Sequence, residues 1–210
     1  MIDYLTKHYD KVLGLLLEHL EIVLFSVALS FVIAMLLVAL IHRLKFLYPI
    51  VINFFNMCFS IPSLVLFTFL VPFSGLGTKS AIIATVIYNL CVLTRNILSG
   101  FDSVDHAVIE AAYGIGLTRW QTFLSVELPL ALPIIITGIK LAFIMSVSLV
   151  VLATAIGAGG MGALLFDGMR TQNWNKVLIG MIVVTVMVFL FNMIFSLIEK
   201  WALRRATGQC

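Results

Sequence analysis

Glu110-Ala111-Ala112-Tyr113-Gly114-Ile115-Gly116, followed by Leu128-Pro129 and Pro133, is a polar, helix-forming stretch between long apolar runs. The runs lie at roughly 22–41, 48–72, 80–99, 134–155 and 177–198. Each approaches the roughly 20 residues that take an α-helix across a bilayer. Hydrophobic residues make up 62% of the 210 residues and charged residues 11%, where a soluble domain carries about a quarter charged. Mean hydropathy is +1.15. These values predict an all-α integral membrane protein with about five transmembrane helices. Residues 20–199 are expected to form the membrane domain, 1–19 an external segment and 200–210 a cytoplasmic tail. The chain leaves no room for a separate soluble domain, and its net charge of +3 gives no support to a nucleic-acid partner.

Asp3, Lys7, Asp10, Lys11, Glu18 and Glu21 precede the first apolar run. A secretory signal has a basic start and a short apolar core, so the first helix is expected to stay in the mature protein. The second run contains Pro62, which removes a backbone donor and predicts a kink. The third is the least apolar, with Thr85, Tyr88, Asn89 and Thr94. An odd number of spans puts the termini on opposite sides. Arg43, Lys45, Arg95, Arg119, Lys200, Arg204 and Arg205 then fall on one side, and Lys7, Lys11, Lys79, Arg170 and Lys176 on the other. That bias of seven against five favours an external N-terminus, a cytoplasmic C-terminus and a cytoplasmic loop at 100–132.

Within that loop Val104, Ala107, Val108, Ala111, Ala112 and Ile115 follow helical spacing. Asp102 or Ser103 can cap the start, and Gly116 suits the left-handed residue that ends such a helix. Thr118 and Gln121 have the spacing of a capping box. A second short helix through Trp120, Phe123 and Leu124 is expected to stop before Pro129 and Pro133. The prediction is two helices, 104–115 and 119–126, hinged at Gly116. On pattern alone, an amphipathic hairpin lying on the headgroups or closing the helix bundle accounts for this equally well.

The wording goes further. Glu110-Ala111-Ala112, Gly116-Leu117, Phe123, Val126, Leu128-Pro129 and Pro133 resemble, in order, the EAA loop of permease subunits of binding-protein-dependent ATP-binding cassette importers. The family usually has an acidic residue before the glycine, where this chain has Ile115. The resemblance covers about residues 20–199 and implies a type I importer fold like that of methionine permeases. It implies that Glu110, Ala111, Ala112, Gly116, Leu117, Trp120 and Phe123 couple the chain to a separate cytoplasmic ATPase. ATP and Mg²⁺ would be bound there, in keeping with the lack of a GxxxxGK[ST] signature in this chain. Further implied partners are a separately encoded external substrate-binding protein and a second permease subunit, the same or similar.

Asn53, Asn56, Ser60 and Ser63 form a polar stripe on the second run, read either as interhelical hydrogen bonding or as a translocation path. Ser60-Ile61-Pro62-Ser63-Leu64 with Pro72-Phe73-Ser74-Gly75-Leu76-Gly77-Thr78 resembles osmoprotectant permeases. The cargo implied is glycine betaine, carnitine or choline. The alternatives are methionine or another small solute in the same fold, and a membrane scaffold without transport. Gly157-Ala158-Gly159-Gly160-Met161-Gly162 satisfies GxGxxG but follows a membrane helix rather than a strand, against dinucleotide binding. Gly157, Gly159, Gly160 and Gly162 are read as a flexible external turn or as an irregular outer gate. This segment resembles one in methionine and osmoprotectant importers.

Gly138, Ala142 and Ser146 recur every four residues and predict a packing face. Lys140 is expected to snorkel to the cytoplasmic interface. Cys58 and Cys91 read as small buried hydrophobes and Cys210 as a terminal thiol. His8, His19, His42 and His106 are dispersed and support no metal site, and no paired carboxylates suggest a proton relay.

Overall fold

The computed structural model describes residues 2–206, so Cys210 lies outside the described residues. The helices are α1 (Ile2–Lys7), α2 (Tyr9–Arg43), α3 (Leu47–Ser60), α4 (Ser63–Ser74), α5 (Thr78–Asp102), α6 (His106–Gly114), α7 (Arg119–Thr122), α8 (Leu128–Ala153), α9 (Met161–Arg170) and α10 (Trp174–Ala206). Four continuous stretches are long and apolar enough to cross a membrane: Tyr9–Ile41, Thr78–Asp102, Arg119–Ile156 and Trp174–Arg205. The first starts at Tyr9, well before the apolar run near residue 22. At 1.5 Å per residue it is about 50 Å long, against a hydrocarbon core of about 30 Å.

The fifth apolar run is broken. α3 and α4 meet at 100°, where Ile61 and Pro62 are extended, with ψ of 129° and 134°. Proline has no N–H, and the clash of its ring disfavours helix at the preceding residue. The bent pair still connects opposite ends of the bundle. α3 follows α2 after three residues, at the end where Met35, Val38 and Ala39 lie beside Leu98 and Phe101. After α4, Gly77 N–H donates to the Ile156 carbonyl at 2.8 Å, beyond the far end of α8. The chain therefore traverses the bundle five times, and its termini lie at opposite ends.

α5 is the central helix. Its membrane window is 67% buried, against 17% for α10. This explains why its sequence is the least apolar of the five. A lipid-facing helix must be apolar, whereas a helix surrounded by helices can carry polar groups that meet partners. Asn89 Nδ2 donates to Ser146 Oγ at 2.8 Å. α5 and α8 run antiparallel and touch from Gly100 against Ala131 through Asn96 against Gly138 to Asn89 against Ser146, and Thr78 at the start of α5 reaches the Ala158 carbonyl beyond the end of α8. Gly138, Ala142 and Ser146 are all buried, as expected of a packing face. At Gly138 a methyl group would come within 2.6 Å of the Asn96 Cβ, so only glycine permits this approach.

α10 packs on the other side of α8. Phe143 stacks on Phe191 with ring centroids 4.1 Å apart. Lys140 does not merely snorkel. Its Nζ lies 2.6 Å from Glu199 Oε2, and Thr137 Oγ1 donates to Glu199 Oε1 at 2.8 Å. Cys91 is buried and Cys58 half-buried, both as free thiols.

Tyr88 on α5 closes the break in the fifth run by donating its hydroxyl hydrogen to the Ile61 carbonyl. Tyr88→Phe should lower stability by about 1 kcal/mol, read as a reduced midpoint of thermal unfolding in detergent. An unchanged midpoint would mean that this carbonyl does not depend on Tyr88.

Candidate functional site

The segment between α5 and α8 folds as a helical hairpin outside the bundle. Asp105 caps α6, its carboxylate accepting the Ala107 N–H at 2.9 Å. The caps expected from sequence, Asp102 and Ser103, are used otherwise. α5 runs on to Asp102, and the Ser103 hydroxyl donates to the Gly100 carbonyl at 2.7 Å. At the other end of α6, Leu117 N–H donates to Ala112 O at 3.1 Å and Gly116 N–H to Tyr113 O at 3.0 Å. This pair of bonds is a Schellman closure. It requires the left-handed φ of +89° that Gly116 adopts. The Thr118–Gln121 capping box forms as predicted.

The second helix differs from expectation. It does not stop at 126 before the prolines. α7 passes through a π-helical turn at Phe123–Glu127 directly into α8. A π turn is wider than an α turn. It stands immediately before Pro129, whose ring would otherwise press on the carbonyl four residues back. Pro133 lies inside α8, and its own carbonyl accepts the Thr137 hydroxyl at 3.0 Å. The result is one continuous rod from Arg119 to Ile156.

The predicted apolar face of the hairpin divides in two. Val104 and Ala112 are buried against the bundle. Ala107, Val108, Ala111 and Ile115 face outward. Ile115 is 81% exposed and Trp120 72%. Glu110 and Gly116 are exposed too, whereas Leu117 and Phe123 are half-buried. Behind this ridge Phe123 stacks on Phe101 at 5.7 Å and meets Trp120 edge-on at 5.8 Å. A cavity of about 280 Å³ lies beside these rings, lined by Met35, Val38, Leu98 and Glu127 among others.

The polar stripe sits on the broken span. Asn53 and Ser60 are exposed, Asn56 and Ser63 half-buried. Ser60 Oγ donates to the Asn56 carbonyl at 2.9 Å. The Asn56 side-chain oxygen accepts from Arg95 Nη2 on α5. Counting charges by side groups Arg95 with the loop cations, although it stands inside the run 80–99. A charge within an apolar run was the signal that could have found it.

The glycine segment is not a free turn. Gly157, Gly159 and Gly160 have φ of +81°, +81° and +70°. Gly160 N–H donates to Glu18 Oε2 on α2 at 2.8 Å, and Thr154 Oγ1 donates to Gly159 O at 2.8 Å. Gly162 packs against Thr154 and the Val151 carbonyl, with no space for a side chain. α2, α8 and α9 are thereby tied at the end of the bundle opposite the hairpin. At the same end Asp167 Oδ2 pairs with Lys176 Nζ at 2.8 Å across the α9–α10 turn.

Residues 26–208 match the family described as "Binding-protein-dependent transport system inner membrane component". The glycine betaine/carnitine/choline transport system permease protein OpuCB of Bacillus subtilis is 32% identical over 200 residues, covering 95% of this chain and 92% of that protein. The osmoprotectant import permease protein OsmW of Salmonella typhimurium is 32% identical over 209 residues, covering 97% and 94%. Among solved structures, the MetNI methionine ABC transporter in an inward-facing conformation matches with a TM-score of 0.82 at 22% identity, covering 91% of this chain and 95% of that one.

The Lys176 hydrogen bond holds the Asp167 carboxyl below its ordinary value of 3.8. A carboxylate whose pKa is depressed on folding contributes stability that is present above its unfolded pKa and lost as pH falls through the folded one. The midpoint gap between wild type and Asp167→Asn should therefore be present at pH 7 and close below about pH 4. Thermal unfolding across that range tests this. A gap that stays constant would mean that the carboxylate charge is irrelevant.

Proposed function

The chain belongs to the family of binding-protein-dependent transport system inner membrane components, and from that premise we propose that it lines half of the path of an ATP-driven importer for a compact quaternary amine. It is the permease subunit of an ATP-binding cassette importer, and it lies in the membrane as a multi-pass protein. The observation that carries the coupling role is the outward apolar ridge of Val108, Ala111 and Ile115 with Trp120. A water-facing ridge of this kind marks a protein interface, and the continuous rod from Arg119 to Ile156 gives it a direct hold on a spanning helix.

The occupant of the ridge is an ATPase subunit, which holds the ATP and Mg²⁺. Glu110, Ala111, Gly116 and Trp120 meet it directly. Ala112 and Leu117 seat the hairpin on the bundle, and Phe123 carries displacement to Phe101 on α5. The hairpin end is cytoplasmic, as the seven-to-five bias of Lys and Arg supports. The N-terminus is then external and the C-terminus cytoplasmic. An external binding protein docks at the opposite end, on the segment 156–176, and the glycines at 157, 159, 160 and 162 shape the outer gate.

The cargo is glycine betaine, carnitine or choline, supported by the names of relatives that align over nearly the whole chain. Asn53, Asn56, Ser60 and Ser63 line the path. Exposed apolar side chains on α3 and α4, including Met57, Phe69 and Phe73, suit contact with a second permease subunit and with lipid.

Ile115→Asp tests the coupling reading. Its side chain is 81% exposed, so the unfolding midpoint should stay within about 0.5 kcal/mol of wild type. Co-purification of the co-expressed ATPase and ATP-driven glycine betaine uptake should both fall at least about tenfold. Retention of both would remove the hairpin as the docking surface.

A further inference from the structure

Among the described residues, Arg95 is a cation without a counter-charge. It lies on α5 about 10 Å before the helix end at Asp102, and it is exposed. Its one hydrogen bond among the described residues goes to the neutral side-chain oxygen of Asn56. No carboxylate pairs with it there. Lys140 on α8 is treated differently, being paired with Glu199 at 2.6 Å. An unpaired charge within a spanning helix is costly unless it faces water or a passing solute.

The surroundings of Arg95 meet that condition. Asn56 shares its face of α3 with Asn53 and Ser60, the Ser60 hydroxyl donates to the Asn56 carbonyl at 2.9 Å, and Ser63 lies beyond the 100° break, at the start of α4. A guanidinium carries five N–H donors in a planar fork that fits a carboxylate. The Asn56 bond uses one and orients the rest. The fork is held at the polar face of α3 that carries Asn56 and the exposed Asn53 and Ser60.

We propose that Arg95 is a substrate-binding residue of the path that receives the carboxylate of a zwitterionic cargo and disfavours cargo of net positive charge. This rests on the quaternary-amine reading above and narrows it. Carboxylate-bearing trimethylammonium solutes, such as glycine betaine and carnitine, pass more readily than choline, which has only the cation.

Two measurements on the full complex with its ATPase test this. The first is uptake of labelled glycine betaine and choline into proteoliposomes, with the binding protein supplied. Arg95→Gln should lower the betaine-to-choline ratio about tenfold, and Arg95→Lys should restore part of it. Equal loss of both solutes, or no loss, overturns the proposal. The second needs no cargo. In a background with Cys58, Cys91 and Cys210 replaced, Ser60→Cys is modified with an anionic sulfonate and a cationic trimethylammonium thiol reagent. The sulfonate should be favoured with Arg95 present, and Arg95→Gln should reduce that preference at least about threefold. An unchanged preference overturns the proposal. A complex that carries neither solute but keeps the Arg95-dependent reagent preference overturns the quaternary-amine reading and leaves the anion site standing.

Discussion

Hydrocarbon supplies no partner to a backbone N–H or carbonyl, so each interruption of helix in this chain must be answered by a group from elsewhere in the protein. At the break between α3 and α4, the Ile61 carbonyl receives the Tyr88 hydroxyl from α5. At the opposite end from the hairpin, the Gly160 N–H donates to Glu18 from α2, and the Gly159 carbonyl accepts from the Thr154 hydroxyl. The irregular backbone is thus confined to sites where a neighbouring group can reach it, and those sites flank the proposed path. Helices able to stand alone, such as α10, lie at the periphery, where nothing but lipid is needed around them.

The same constraint explains the mechanics. A hairpin joined to the bundle by flexible loops would absorb the motion of a partner. Here the hairpin's own turn and its exit into α8 are both stiff. Gly116 is held in a doubly bonded helix closure, and α7 enters α8 through a hydrogen-bonded π turn without an intervening coil. Displacement of the ridge therefore moves α8 as a rod. α8 touches α5 from Gly100 and Ala131 to Asn89 and Ser146. It also grips α10 through Lys140 and Glu199. Three of the five traverses are coupled to the hairpin in this way, whereas the broken span meets them chiefly through α5.

The sequence was legible where one period or one local bond decides the outcome. The apolar runs marked the five traverses, Pro62 marked the break, and Thr118 with Gln121 marked a cap that forms between two adjacent side chains. It was illegible where a distant residue decides. Asp105 rather than Asp102 caps α6 because α5 extends farther than its apolar run. The hairpin stripe looked like one face, but tertiary packing turned Val104 and Ala112 inward and left Val108 and Ile115 outside. Pro129 appeared to end a helix because proline normally does, and the π turn that accommodates it has no simple sequence period. The glycine run appeared flexible because its anchors, Glu18 and Thr154, are not part of it.

A transport path has to be favourable enough for solute to enter and weak enough for it to leave. The polar groups on the broken span suit that requirement. The hydroxyl and amide groups at 53, 56, 60 and 63 can exchange for water at little net gain or loss. A fixed charge is a stronger element, and one fully paired with a protein carboxylate would have little left for a solute. The fold pairs Lys140, which braces α8 against α10, but gives Arg95 only the amide of Asn56. The broken helix is what makes that arrangement possible. By ending α3 at Ser60, it keeps Asn56 within the last turn, with Ser60 bonded back to its carbonyl and Arg95 to its side chain. A straight helix through residue 62 would keep the Ile61 carbonyl for its own hydrogen bonding and leave the Tyr88 hydroxyl without this partner. The kink, the tyrosine and the arginine therefore form one construction, in which α5 closes the backbone with one side chain and holds a positive charge at the polar face of α3 with another.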